Sequence, residues 1–211
     1  YSNGFETFIW DDCFYPEREI QGFYTQNELQ LLIDRRTTRK DLRTFNINTT
    51  IAGRNYQIEG ITRVAENLAE THDGKYVGTK RESLLVMATG SGKTRTAAAI
   101  VDMLTKCNWV KRVLFLADRN ALVTQAKNAF KEHLENLSAI DLTKEKEDGN
   151  ARVVFSTYPT MINKIDKVRN DNGRFYGVGH FDLIIIDEAH RSVYQKYRAI
   201  FEYFDSMLIG L

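Results

Sequence analysis

Cysteine, proline, net charge and long apolar runs are all scarce in this sequence, and each scarcity narrows what the chain can be. Only two cysteines, Cys13 and Cys107, occur in 211 residues. They make neither a disulfide framework nor a metal-ligand pattern, so a reducing compartment is expected. The longest unbroken apolar runs, such as 97–101 and 183–186, fall far short of a bilayer span, which needs roughly 20 residues. No segment has the basic, apolar and small-residue layout of a signal peptide. A cytoplasmic protein with no membrane partner is the expectation. Lys+Arg at 29 nearly cancel Asp+Glu at 28, for a formal net charge of +1. Without a global field to attract phosphate, nucleic-acid binding would need a local patch or a partner. With 43% hydrophobic and 27% charged residues, the composition excludes wholesale disorder and fibrous folds. The length suits one α/β domain, or one and a half small ones, with a substantial core.

Two segments differ in character. Residues 1–24 are rich in aromatics, with an Asp-Asp turn at 11–12, and read as a short hairpin or an extended segment lying on another domain. Thr25 and Glu28 have capping-box spacing ahead of Leu29, Leu32 and Ile33, which predicts a helix to about Arg36. Arg35, Arg36, Arg39, Lys40 and Arg43 form the densest basic cluster, expected to be a solvated face or linker. The polar stretch 41–53 reads as a loop or linker. From residue 54 the pattern changes. Tyr56, Ile58, Ile61, Val64, Ala65 and Leu68 sit at helical spacing. After a glycine-bearing loop, apolar runs at 83–88, 112–117, 152–157, 182–187 and 206–211 alternate with helical patterns at about 93–106, 120–136, 159–168 and 193–204. That alternation predicts right-handed crossovers and a mainly parallel sheet with helices on both faces. The run 183–186, apolar at every position, should be a central strand. The loops at 141–150 and 170–180 read as surface connections. The first residue is Tyr1, not Met, and the last six read as a strand, so a piece of a longer chain is expected at both ends.

Ala88, Thr89, Gly90, Ser91, Gly92, Lys93 and Thr94 follow the first of these strands and open an Ala-rich helix. Glycines let the backbone wrap an anion, and the helix N-terminus adds N–H groups and dipole. In such a loop Lys93 would reach the β- and γ-phosphates, and the Thr94 hydroxyl would bind Mg²⁺. Met87 stands where the generic phosphate-loop pattern has glycine. Farther on, Asp187-Glu188-Ala189-His190 ends the apolar strand. An isolated Asp-Glu pair would suit a helix cap. In an open α/β sheet, however, ligands gather at the carboxyl ends of strands. There Asp187 can hold Mg²⁺ through water, and Glu188 can accept a proton from attacking water. His190 either couples the nucleotide site to a neighbouring domain or bonds within its own loop.

These residues resemble a superfamily-2 helicase, and more closely the motor (R) subunit of type I restriction enzymes. Residues 88–94 look like motif I and 187–190 like motif II, the DEAH box. Arg54-Asn55-Tyr56-Gln57 is similar to the upstream R-x-Y-Q signature, by which Gln57 would read the adenine edge. Residues 116–125 look like motif Ia, and Phe155-Ser156-Thr157-Tyr158 like motif Ib. The resemblance makes Arg119, Ser156 and Thr157 candidate phosphate contacts. Residues 1–7 and 22–29 resemble the join between the family's nuclease domain and its motor. The resemblance implies a P-loop, RecA-like domain over 54–211, truncated before motif III, and a small α/β linker segment over 1–53. It implies an ATP- and Mg²⁺-dependent translocase on double-stranded DNA, feeding a prokaryotic type I site-specific deoxyribonuclease. It also implies modification (methyltransferase) and specificity subunits as partners, which would bind S-adenosylmethionine. The second lobe, with its arginine finger, would lie after Leu211, so the fragment alone is expected to bind ATP weakly and turn it over slowly or not at all. Two other readings stay open: a superfamily-2 RNA or DNA-repair helicase, and a non-hydrolysing assembly module.

Overall fold

A computed structural model describes residues 1–11, 14–166 and 175–211. Asp12, Cys13 and 167–174 fall outside the described residues, and with them part of the expected Asp-Asp turn and of the loop at 170–180. The chain opens with an antiparallel hairpin of β1 (Thr7–Asp11) and β2 (Tyr15–Ile20), then helix α1 (Gln26–Thr38). The Thr25–Glu28 capping box that starts α1 is formed in both directions. A 3-10 turn (Leu42–Thr44) leads to α2 (Asn55–Leu68) and a second hairpin, β3 (Ala69–His72) with β4 (Lys75–Gly78). Asp73 and Gly74 between them have φ of 49° and 74°, the two positive angles a tight two-residue hairpin turn requires. This Asp-Gly signal lies inside what reads from sequence as a loop.

The remainder alternates strand and helix: β5 (Glu82–Leu84), α3 (Lys93–Lys106), β6 (Val113–Ala117), α4 (Asn120–His133), β7 (Ala139–Asp141), β8 (Val153–Thr157), α5 (Tyr158–Asp166), β9 (Leu183–Ile186), α6 (Arg191–Tyr203) and β10 (Met207–Gly210). Among the described residues, six strands form one parallel sheet in the order β5-β10-β9-β6-β8-β7. The strands have period two, so alternate residues feed opposite cores. Val113, Phe115, Val153, Phe155, Leu183 and Ile185 pack with α2, α3 and α4. Leu114, Leu116, Val154, Ile184 and Ile186 pack with α5 and α6 on the other face. β9 lies inside the sheet between β10 and β6 and is buried throughout, as a strand apolar on both faces must be. No helix among the described residues is long and apolar enough to cross a membrane.

Two expectations from sequence need correcting. The basic cluster is not uniformly solvated. Arg35 is 2% exposed and bonds both oxygens of Asp182, at 2.7 and 2.8 Å. Arg39 lies between the rings of Phe14 and Trp109, while Arg36 and Lys40 do face water. The stretch 41–53 is not a free linker either. Leu42, Ile51 and Ala52 are buried in the main core, and Arg95 donates to the carbonyls of Ile51 and Thr50. Around the same cavity as Arg35 and Asp182, Arg18 and Arg81 both bond Asp205. Asp182 and Asp205 precede β9 and β10, so the first hairpin and α1 are tied to the N-terminal ends of the strands through Arg18 and Arg35. The phosphate loop and Asp187 lie at the opposite, carboxyl ends. The four residues of β9 separate Asp182 from Asp187, a rise of roughly 17 Å over the steps between them.

Candidate nucleotide-binding site

β5 ends at Leu84, and the Leu85 amide makes one more bond to the sheet, to the Gly210 carbonyl at 2.9 Å, before the chain turns into the phosphate loop. Among the described residues β5 pairs with β10 alone, which explains why the strand is shorter than its apolar run. Gly90 and Gly92 have φ of 77° and 88°, conformations that favour glycine. Gly92 caps α3, and a Cβ there would lie 2.6 Å from Gln57 Nε2. The Ser91 hydroxyl and amide both donate to the Ala88 carbonyl, closing the turn. Thr89 and Gly90 are exposed at its tip. The first N–H groups of α3, including those of Lys93 and Thr94, have no acceptor within the helix, and the helix dipole adds partial positive charge there.

Behind this loop stands a brace at the start of α2. Gln57, only 3% exposed, accepts from the Arg54 amide at 3.2 Å. Its Nε2 donates to the carbonyls of Ser91 at 3.3 Å and Gly92 at 3.4 Å. The Tyr56 hydroxyl donates to the Ser91 carbonyl at 2.8 Å and accepts from Arg54 Nη1 at 2.8 Å. Tyr56 and Ile58 therefore lie off the buried stripe of α2, which runs Gln57, Ile61, Val64, Ala65 and Leu68. Beside the brace opens a cavity of about 1020 Å³ bounded by Tyr56, Gly60, Arg63, Leu85 and Met87.

Across from the loop, β9 ends in the acidic residues. The Asp187 amide donates to the Leu116 carbonyl at 2.9 Å, extending the sheet by one bond. The buried Tyr158 hydroxyl donates to the Asp187 carbonyl at 3.0 Å. Burial raises the Asp187 carboxyl above its ordinary range, and neighbouring Glu188 adds to this while Lys93 opposes it. Glu188 has φ of 55°, a left-handed conformation that costs a side-chain-bearing residue about 1–3 kcal/mol and recurs at functional sites. Its Oε1 lies 3.3 Å from Lys93 Nζ, and its Oε2 lies 3.3 Å from His190 Nε2. The fold thus brings Lys93, Asp187, Glu188 and His190 together from segments 95 residues apart, with Thr94 next to Lys93 on α3.

The three expected phosphate contacts share the carboxyl edge of the sheet but differ in access. Arg119 caps α4 with its side chain 80% exposed. Ser156 is fully buried, its hydroxyl turned to the Thr157 carbonyl. Thr157 is buried and shares a hydrogen bond with Thr160. The burial follows from β8, whose two faces are covered by α4 and α5. Two residues lie within the motif resemblances but had no role assigned from sequence: Tyr56, whose hydroxyl braces the Ser91 carbonyl, and Tyr158, whose hydroxyl holds the Asp187 carbonyl. Among the described residues no three or more His, Cys, Asp or Glu side chains gather as a metal site.

Comparison with known proteins gives this geometry a family. Residues 50–211 match the family described as type III restriction enzyme, res subunit. The chain is 36% identical over 165 residues to the endonuclease subunit of the type I restriction enzyme EcoAI of Escherichia coli, covering 75% of this chain and 19% of that subunit. It is 28% identical over 178 residues to the EcoKI endonuclease subunit of Escherichia coli strain K12, covering 72% and 15% respectively. The chain thus spans less than a fifth of the length of these relatives. A fragment structure assigned to the HsdR subunit of a type I restriction enzyme from Vibrio vulnificus YJ016 shares the fold. Its TM-score is 0.52 at 24% identity, over 99% of this chain and 35% of that one. With its parallel RecA-like sheet and its likeness to type I endonuclease subunits, the chain belongs to the restriction-enzyme res subunit family.

Proposed function

We propose that residues 54–211 are the first RecA-like lobe of an ATP-driven translocase on duplex DNA, acting in a type I restriction endonuclease. In this reading residues 1–53 lead in from an upstream nuclease domain, and modification and specificity subunits complete the complex. The observation that carries the proposal is the 3.3 Å contact between Lys93 and Glu188, which joins the phosphate loop to the acidic strand end. The glycine cradle and the free first-turn N–H groups of α3 fit a triphosphate, and Thr94 and Asp187 fit a hydrated Mg²⁺ shared with it. When bound, Mg²⁺ would neutralise charge on the β- and γ-phosphates. Lys93 now rests on Glu188, and a γ-phosphate would compete for it. Moving Lys93 onto phosphate frees Glu188 Oε1 to accept a proton from water, with His190 on the other oxygen. Gln57 and Tyr56 hold the loop carbonyls, with Arg54 donating to the Tyr56 hydroxyl, and the adjoining cavity has room for the base. Arg119, exposed at the same sheet edge, is the contact to a DNA phosphate, a role that positions without reading sequence.

Titration of the chain with a fluorescent ATP analogue and Mg²⁺ tests the nucleotide site. Saturable binding is expected, abolished by Lys93→Ala and losing its Mg²⁺ dependence in Asp187→Asn. Equal affinity in wild type and Lys93→Ala, or no binding to a folded wild type, would refute the reading.

A further inference from the structure

At the N-terminal ends of the strands, far from the phosphate loop, a small cavity of about 30 Å³ lies between the first hairpin, α1 and the sheet. Among the described residues its charged lining is four arginines, Arg18, Arg35, Arg39 and Arg81, and three aspartates, Asp11, Asp182 and Asp205. Four buried side-chain N–H positions on these arginines have no acceptor: Arg18 Nη1, Arg35 Nε, Arg39 Nε and Arg39 Nη1. Arg35 is itself 2% exposed. The two central carboxylates are already saturated. Asp205 accepts from Arg18 Nε and Nη2, from Arg81 and from the Tyr24 hydroxyl. Asp182 accepts from Arg35 Nη1 and Nη2 and from the Lys111 and Arg112 amides. A carboxylate has about four lone-pair sites, so neither can take the remaining donors.

Buried donors of this kind are nearly always satisfied by protein, water or an ion. We propose that this cavity is a binding site for one monatomic anion of the chloride class. Its volume holds a single water-sized particle, which excludes phosphate, sulfate and carboxylate ligands. A water would bring two O–H donors to a place where donors are already in excess, whereas a halide only accepts. The Arg39 guanidinium carries two of the four unpartnered donors. It is held between Phe14, 3.9 Å from the ring centroid, and Trp109 at 4.4 Å. Burial lowers its pKa to about 10, with Asp11 and Asp182 opposing that fall. The donors come from β2 and from α1, and their aspartate partners from the feet of β9 and β10. The anion would therefore fasten the first hairpin and α1 to the sheet, whatever nucleotide the opposite edge binds.

The decisive experiment is a crystal of this chain grown in bromide in place of chloride, with data collected at the bromine absorption edge. An anomalous peak within hydrogen-bonding reach of Arg35 and Arg39 is expected. A water without anomalous signal, or an empty cavity, overturns the proposal. In solution, the thermal midpoint should rise by about 3–5 °C per tenfold increase in chloride above its dissociation constant, at ionic strength held constant with gluconate. Arg39→Met should lose that dependence, and if this variant does not fold, the wild-type bromide map decides. Identical wild-type midpoints in chloride and gluconate would overturn the fastening role.

Discussion

Replacing Arg35 by methionine isolates the buried clamp between α1 and β9. The substitution keeps an unbranched, helix-compatible chain and removes only the guanidinium. In the wild type this group is 2% exposed and doubly bonded to an aspartate whose side chain is 11% exposed. Removing one partner of a buried pair leaves the other as an uncompensated charge and costs about 3–5 kcal/mol. Asp182 retains two backbone donors, from Lys111 and Arg112, which places the expected loss near the lower end, about 3 kcal/mol. That is a large share of a total stability of about 5–15 kcal/mol. The sign with pH follows from Asp182. Burial acts to raise its pKa, but the Arg35 bonds and the two amides outweigh burial and hold it below the ordinary value. A depressed carboxyl contributes stability that is fully present above the unfolded value, about pH 3.9, and lost as pH falls through the folded value. Without Arg35 the burial effect has less opposition and the Asp182 pKa rises. The gap between wild type and variant should then narrow as pH falls from 7 toward 4. Urea unfolding at both pH values measures it. A double variant, Arg35→Met with Asp182→Leu, should recover part of the loss, because no charge remains buried. A single-variant loss below 1 kcal/mol at pH 7, or a gap that stays constant with pH, would refute the reasoning.

Three further outcomes are expected. Gly92→Ala, at φ 88° and with its new Cβ 2.6 Å from Gln57 Nε2, should cost about 1–2 kcal/mol from left-handed backbone strain and weaken ATP-analogue binding; unchanged stability and affinity would contradict the brace described for Gln57. Tyr158→Phe removes the 3.0 Å bond to the Asp187 carbonyl and should cost about 1 kcal/mol while weakening Mg²⁺-nucleotide binding several-fold. Nucleotide binding without Mg²⁺ should hold, so parallel losses in both titrations would assign Tyr158 a purely structural role. Phe115→Ala opens the ring cluster that Phe115 makes with Phe130 at 5.7 Å and Phe155 at 5.3 Å; calorimetry should show a loss of about 3–5 kcal/mol, and a loss under 1.5 kcal/mol would mean that α4 closes over the cavity.

Strand–helix order, the parallel sheet, the central place of residues 183–186 and the loop at 88–94 are all legible along the chain. Each depends on neighbours a few residues apart, through period, glycine freedom or capping chemistry. Lys93 and Asp187 could be named from local pattern because carboxyl-end placement follows from strand order alone. The 3.3 Å meeting of Lys93 with Glu188 spans 95 residues, and no local pattern encodes it. The same holds for the basic cluster. In sequence Arg35 and Arg39 read like Arg36, as charges on a polar stretch. Which of them faces water depends on Asp182, 147 residues away, and on the rings of Phe14 and Trp109. Local periodicity and loop chemistry therefore determined the class of fold and the candidate site groups. Tertiary structure alone decided which charges are buried, which hydroxyls brace the site, and that the first hairpin and α1 are fastened to the far end of the sheet, because burial and long-range pairing are properties of the packed chain.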